Sequence, residues 1–196
     1  MPEVGRSPLG RGSSAKLKKR LRLQPESEDT MILYAQPYDV SATGFYFESH
    51  ADYEVKAKKL VNAYGQPVEE FEIQFIDGDE LDCELVNAIG VHQANLKAVF
   101  NCVDLWGDDQ KRHVIIAVGQ CGYVFDPDQR PEEYGVDIYS VESLKELAEQ
   151  FVEDGLYGDI PDSLRFYIDT DAIARDLAVE FSEITIAGEG LVYACR

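Results

Sequence analysis

The sequence predicts an α+β fold, and three patterns carry that expectation. Residues 32–76 read strand, strand, helix, strand; residues 140–153 repeat apolar side chains at helical spacing; and the chain ends in two short alternating runs across a Gly-rich turn. With 196 residues, 45% of them apolar, the chain can build one ordinary domain or two to three small ones.

In chain order, Ile32–Tyr38 and Gly44–Phe47 have strand composition, joined by the connection 39–43. Ser49 is placed to cap a helix whose buried stripe is Tyr53, Ala57, Leu60, Val61 and Tyr64, with Gly65 and Pro67 ending it. Residues 68–76 then alternate, Phe71, Ile73 and Phe75 on one face and Glu70, Glu72 and Gln74 on the other. Asp79 opens a helical middle with one short helix on Leu81, Leu85, Ala88 and Ile89 and a second on Leu96, Val99, Phe100 and Val103. Trp106 and Gly107 close it. The runs RHVIIAV (112–118) and CGYVF (121–125) read as a β-hairpin, followed by an acidic loop from Asp126 to Glu133.

The stretch 140–181 has the clearest internal logic. Val141, Leu144, Leu147, Ala148, Phe151 and Val152 form one stripe, with Ser140 placed to cap and Gly155 to stop. Glu142, Glu146, Glu149 and Glu153 fall on the opposite flank and Asp154 extends them. A rise of about 1.5 Å per residue sets neighbouring carboxylates in this row roughly 5 to 6 Å apart, which like-charge repulsion disfavours. Pro161 and Asp162 then start a short helix through Tyr167, and Asp169 or Thr170 caps a third, with Ile173, Leu177 and Phe181 inward. Arg175 is expected as an internal counter-ion, beside Asp176 and one turn past Asp171. Residues 182–187 and 191–195 form the terminal hairpin.

Charge is the informative property of the composition. There are 37 acidic and 18 basic residues; residues 1–29 hold four and seven of them, so the remainder carries 33 acids against 11 bases, a net of −22. Such a body repels nucleic acid and anionic membranes, and its natural partners are cations or basic protein clefts. Strong net charge commonly marks disorder, which the aromatic residues (11 Tyr, 9 Phe and 1 Trp) and the clear periodicities argue against, and a halophilic solubility surface is a second alternative. The leader 1–30, with Lys16, Lys18, Lys19, Arg20 and Arg22, reads as a disordered basic tail: a solvated leader, or an upstream extension of a start at Met31, against a segment that touches nucleic acid or folds back on the acidic body. Cys83, Cys102, Cys121 and Cys195 are widely spaced and the histidines scattered, so neither a zinc site nor a disulfide framework is expected. No apolar run approaches 18 residues and no secretory core is present, which predicts a cytoplasmic protein without a membrane partner.

Catalytic motifs are not found. With so many acids, neighbouring carboxylates arise by chance; Asp77, Asp79, Asp82 and Glu84 depart from a calcium loop at Leu81, leaving Asp79 as a helix cap. Asp126, Asp128 and Glu132 fit a solvated turn as well as a weak calcium site. No Walker loop, Rossmann fingerprint, Gly-x-Ser-x-Gly or His-Glu-x-x-His occurs.

Residues 138–177, IYSVESLKELAEQFVEDGLYGDIPDSLRFYIDTDAIARDL, resemble the C-terminal part of ArdA antirestriction proteins, through Ser140, Phe151, Pro161, Tyr167, Asp169, Ala174, Arg175, Asp176 and Leu177. Residues 31–137 resemble a divergent version, with YDVSATGFYFES in place of a tyrosine- and glycine-rich opening, and residues 1–30 have no counterpart. The resemblance implies an elongated homodimer of three small subdomains, here 31–78, 79–110 and 111–196. It implies a non-enzymatic DNA mimic without cofactor or metal, whose carboxylates imitate the phosphates of bent B-form DNA. Its implied partner is the methyltransferase core of a type I restriction-modification enzyme, blocked to the benefit of incoming mobile DNA. The acids assigned to the partner surface are Glu70, Glu72, Glu132, Glu133, Glu142, Glu146, Glu149, Glu153, Asp154, Asp159 and Asp162. The competing classes are a metal-dependent hydrolase using Asp77, Asp79 or Asp126, and a general acidic interaction protein.

Overall fold

The computed structural model describes residues 30–196, so the expected basic tail lies, up to Asp29, outside the described residues. Among these, seven helices accompany two three-stranded antiparallel sheets, as an α+β class requires.

The first sheet has the order β2-β1-β3, with β1 at Ile32–Pro37, β2 at Phe45–Phe47 and β3 at Phe71–Asp77. Its register sets Ala35 opposite Phe45 on one side and Ile73 on the other. Leu33, Ala35, Phe71 and Ile73 are buried while Glu72 and Gln74 are exposed, the period-two alternation expected of a sheet covered on one face. Helix α1 (His50–Ala57) covers it, capped by the Ser49 hydroxyl, which accepts from Asp52 N at 3.1 Å. Tyr53 sits among Phe45, Phe47 and Phe71 at centroid distances of 5.1–6.1 Å. The helix does not continue to Tyr64. Asn62 diverts the chain: its Oδ1 accepts from Tyr64 N and Gln66 N, its Nδ2 donates to Asp39, and Val61 bridges Pro67, leaving Val61 and Tyr64 exposed.

The middle of the chain is three helices, α2 (Glu80–Ile89), α3 (Leu96–Leu105) and α4 (Asp108–Gly119). The Asp79 carboxylate accepts from Leu81 N at 2.8 Å, the expected cap. The expected hairpin over 112–125 is absent. Its first arm is helix α4, and its second is irregular chain that folds back so that Tyr123 N donates to Ala117 O. An unbroken apolar run fits a strand or a buried helix equally well by pattern; here Val114, Ile115, Ile116 and Ala117 are all buried, and that burial outweighs the β-propensity of Val and Ile. Gly107, expected to end the helical region, starts this helix, with Gln110 Oε1 accepting its N–H and Asp108 and Asp109 favourable in the first turn.

The second sheet has the order β4-β6-β5, built from β4 (Val136–Tyr139), β5 (Ser182–Ile186) and β6 (Glu189–Cys195). The hairpin of β5 and β6 turns on Ala187 and Gly188, both at positive φ (46° and 78°), the geometry of a two-residue primed turn. Strand β4 carries no strong sequence signal; it takes the free side of β6, with Val136 opposite Cys195. Between β4 and β5 lie α5 (Leu144–Glu153), α6 (Asp162–Arg165) and α7 (Thr170–Leu177).

Three apolar clusters hold these elements. The first joins the first sheet to α1, Val86 of α2 and Leu96, Val99 and Phe100 of α3. The second joins Leu81 and Leu85, Cys102, α4, Val136 and Leu191; the third joins Leu147 and Phe151 of α5 to Val192 of β6. Helices α2 and α3 therefore serve two clusters each, and adjacent residues of β6 face different ones. A disulfide links Cys121 to Cys195, with Cα atoms 5.5 Å apart, where the sequence leads to no expectation of a disulfide framework. A separation of 74 residues between two lone cysteines has no spacing signature.

Candidate functional site

The site begins with α5 because its two faces are sharply divided. Leu147 and Ala148 are fully buried and Phe151 nearly so, packed on Tyr139 and Phe181 at centroid distances of 5.6 and 6.1 Å. Burying such a phenylalanine stabilises the packing by about 1.5–3 kcal/mol. That anchorage forces Glu146, Glu149 and Glu153 outward, and all three are exposed.

The cap is Ser143, not Ser140: its hydroxyl accepts from Glu146 N at 3.2 Å. Glu146 Oε2 in turn accepts from Glu142 N at 2.9 Å, and Glu183 of β5 accepts from Leu144 N at 2.7 Å. The helix N-terminus is thus satisfied by one hydroxyl and two carboxylates, which also oppose the positive end of its dipole. Gly190 of β6 completes the seat, since a Cβ there would come within 3.1 Å of Glu142 Cα. Glu183, 39 residues from its partner, was not legible in the sequence; Glu146 was, but as a free surface charge.

All eleven acids assigned to the surface are exposed, in several surroundings. Glu72 projects from the outer face of β3, and Glu70 precedes that strand. Glu132 accepts from Gln110 Nε2 at 2.6 Å, which holds its carboxyl below the ordinary value. Glu133 pairs with Arg130 at 2.6 Å, so that charge is largely neutralised and the guanidinium is held more firmly protonated. Asp154 is the C-terminal cap residue of α5. Asp162 lies 3.4 Å from Arg165, and Asp159 stands in the loop before α6. Helix α6 stops at Arg165, short of Tyr167, and leaves Phe166 and Tyr167 at 95% and 83% exposure beside these acids.

Asp169 caps α7 as expected, accepting from Ala172 N at 2.9 Å, while Ile173, Leu177 and Phe181 are half-buried. Arg175 forms no ion pair among the described residues. The cation facing Asp171 is Lys145 of α5, at 2.9 Å, and that hydrogen bond raises the lysine's pKa. Of the 33 carboxylates after residue 29, nine lie within 4.0 Å of a cationic side chain, which leaves 24 without an ion-pair partner among the described residues. Local pairing therefore does not cancel the acidity. Among the described residues, no three of the His, Cys, Asp and Glu side chains are arranged to hold a metal ion, and no helix is long and apolar enough to cross a membrane.

The family model described as antirestriction protein (ArdA) matches residues 15–192. The chain belongs to the ArdA antirestriction family. The match begins upstream of Met31, so the family pattern takes in residues 15–30, which the resemblance over residues 31–177 does not reach. It also covers the first sheet, all seven helices and the second sheet as far as Val192 of β6, and the family is one of antirestriction proteins. No curated protein matches the chain.

Proposed function

We propose that this family member is an acidic DNA mimic that occupies the DNA-binding cleft of a type I restriction-modification enzyme in the cytoplasm and so protects incoming mobile DNA. The observation that carries the proposal is the excess of 24 carboxylates without an ion-pair partner among the described residues of a folded body. The eleven acids from Glu70 to Asp162 are its partner surface. Glu146 to Glu153 spans about 10 Å of helix axis with three charges, whereas duplex DNA carries roughly one charge per 1.7 Å. A single helix is too sparse a copy of a duplex, so the imitation is distributed over several acidic rows. The three subdomains, 31–78, 79–110 and 111–196, space those rows, and a homodimer doubles their length. In this reading the protein needs no cofactor and binds neither nucleic acid nor membrane itself.

Competition decides the matter. A purified type I methyltransferase core, loaded with a labelled duplex containing its recognition sequence, is expected to release the duplex as the protein is added, with the apparent affinity falling in proportion to DNA concentration. A ternary complex of enzyme, duplex and protein would place the inhibitor outside the cleft and end the mimic reading.

A further inference from the structure

We propose that the Cys121–Cys195 disulfide is a redox-operated brace that fixes the sheet carrying α5 to the end of α4, and that its reduction loosens this sheet without releasing the rest of the fold. One half of the bridge stands on rigid ground. Cys121 follows α4, and both its N–H and that of Gln120 donate to the carbonyl of Ile116, a fully buried residue. The other half closes the central strand of the second sheet: Cys195 is the last residue of β6, opposite Val136. Three residues back along that strand, Val192 packs on Leu147 and Phe151 of α5, while Leu191 packs into the cluster that contains α4. The bridge therefore pins the strand on which the acidic helix is seated.

The bond is reachable. Cys195 is exposed and opens onto a groove lined by Tyr139, Phe181 and Arg196, and Cys121 is half-buried. Reduction takes two electrons and two protons from a dithiol reductant, leaving thiols at Cys121 and Cys195 and a disulfide on the reductant. The chain end then keeps weaker ties, Arg196 N to Gly135 O at 2.8 Å, Tyr123 Oη to Arg196 O at 2.7 Å and the Arg196–Asp137 ion pair. They favour loosening over release. The expectation that the brace switches in life rests on the proposed function, because a target inside the cell places an accessible disulfide among thiol reductants, where such bonds are transient or regulatory. Cys102, buried and with its thiol pushed up to about 11, stays out of this chemistry.

The test compares the full chain after air oxidation and after dithiothreitol, with alkylation and mass spectrometry reporting the state of each cysteine. Reduction is expected to lower the melting temperature by about 5–15 °C and to speed amide exchange in residues 136–139, 144–153 and 189–195 by about tenfold or more, leaving residues 32–37 and 71–77 unchanged. The C121S/C195S variant should match the reduced protein and ignore the reductant. Free thiols at both positions after oxidation, identical melting and exchange in the two states, or loss of protection throughout the chain would each overturn the proposal. None of these readouts involves the restriction enzyme. If competition with DNA fails while the redox response is present, the mimic reading falls and the brace stands.

Discussion

Asp82 and Lys111 are the residues whose chemistry is most exposed to test, because both are buried and they face each other at 2.5 Å between α2 and α4. Burial pushes the Asp82 carboxyl up, and the hydrogen bond from Lys111 opposes that push. Removing one partner leaves the other buried without compensation, so Asp82→Asn is expected to cost about 3–5 kcal/mol in urea unfolding, whereas the apolar pair D82L/K111M should be neutral or stabilising. Equal losses for the two variants would show that the pair contributes more than mutual neutralisation. At the surface, hydrogen bonds from Asn62 and Ser41 hold the Asp39 carboxyl below its ordinary 3.8. A depressed folded value means that the contribution is complete above the unfolded value and is lost as pH falls through the folded one. Asn62→Ala should move the Asp39 titration, followed by NMR, up toward 3.8; a titration that stays put would remove Asn62 from that role.

At the scale of the element, α5 combines a buried anchor with an outward acidic row, and the two can be varied separately. Glutamine retains the acceptor oxygen with which Glu146 binds Glu142 N. The quadruple variant E142Q/E146Q/E149Q/E153Q is therefore expected to fold normally by circular dichroism. Each charge contributes about 0.5–1 kcal/mol to a solvated, multi-contact interface, so this variant should lose about 2–4 kcal/mol of affinity for the enzyme while single changes are hard to detect in cells. Loss of all inhibition from one of the single substitutions, with the fold intact, would replace the distributed row with a discrete anchoring carboxylate.

For the whole molecule, the governing quantity is a net of −22 after residue 29. Calorimetry of the enzyme complex across a salt series is expected to show affinity falling with salt, because exposed charges are screened, but less steeply than for duplex DNA, since carboxylates on a folded surface hold a sparser ion atmosphere. A salt-independent affinity would indicate a mainly apolar interface. Met31 lies at 4% exposure in the first core cluster, so a protein started there should melt like the full chain and still block restriction. A normal melt with restriction unblocked would give residues 15–30, which fall within the family match, a part in inhibition.

Elements with a local signal are legible in the amino-acid order alone. The alternation of Phe71 and Ile73, the caps at Ser49, Asp79 and Asp169, and the stripe of Leu147 and Phe151 are each written within a few residues, and the structure repeats them; the terminal hairpin is present too, but its turn falls at Ala187 and Gly188, with Glu189 and Gly190 already in β6. The motif at 138–177 carried the family in the same way. Tertiary structure decided whatever depends on a partner distant in the chain. The run from His113 to Val118 is helix because α2 and the second sheet surround it; Cys121 meets Cys195 because β6 ends beside the turn after α4; and Glu183 reaches the start of α5 from 39 residues away. Periodicity records which face is apolar, but the identity of the covering element, and of a cysteine's or carboxylate's distant partner, is fixed when the layers pack.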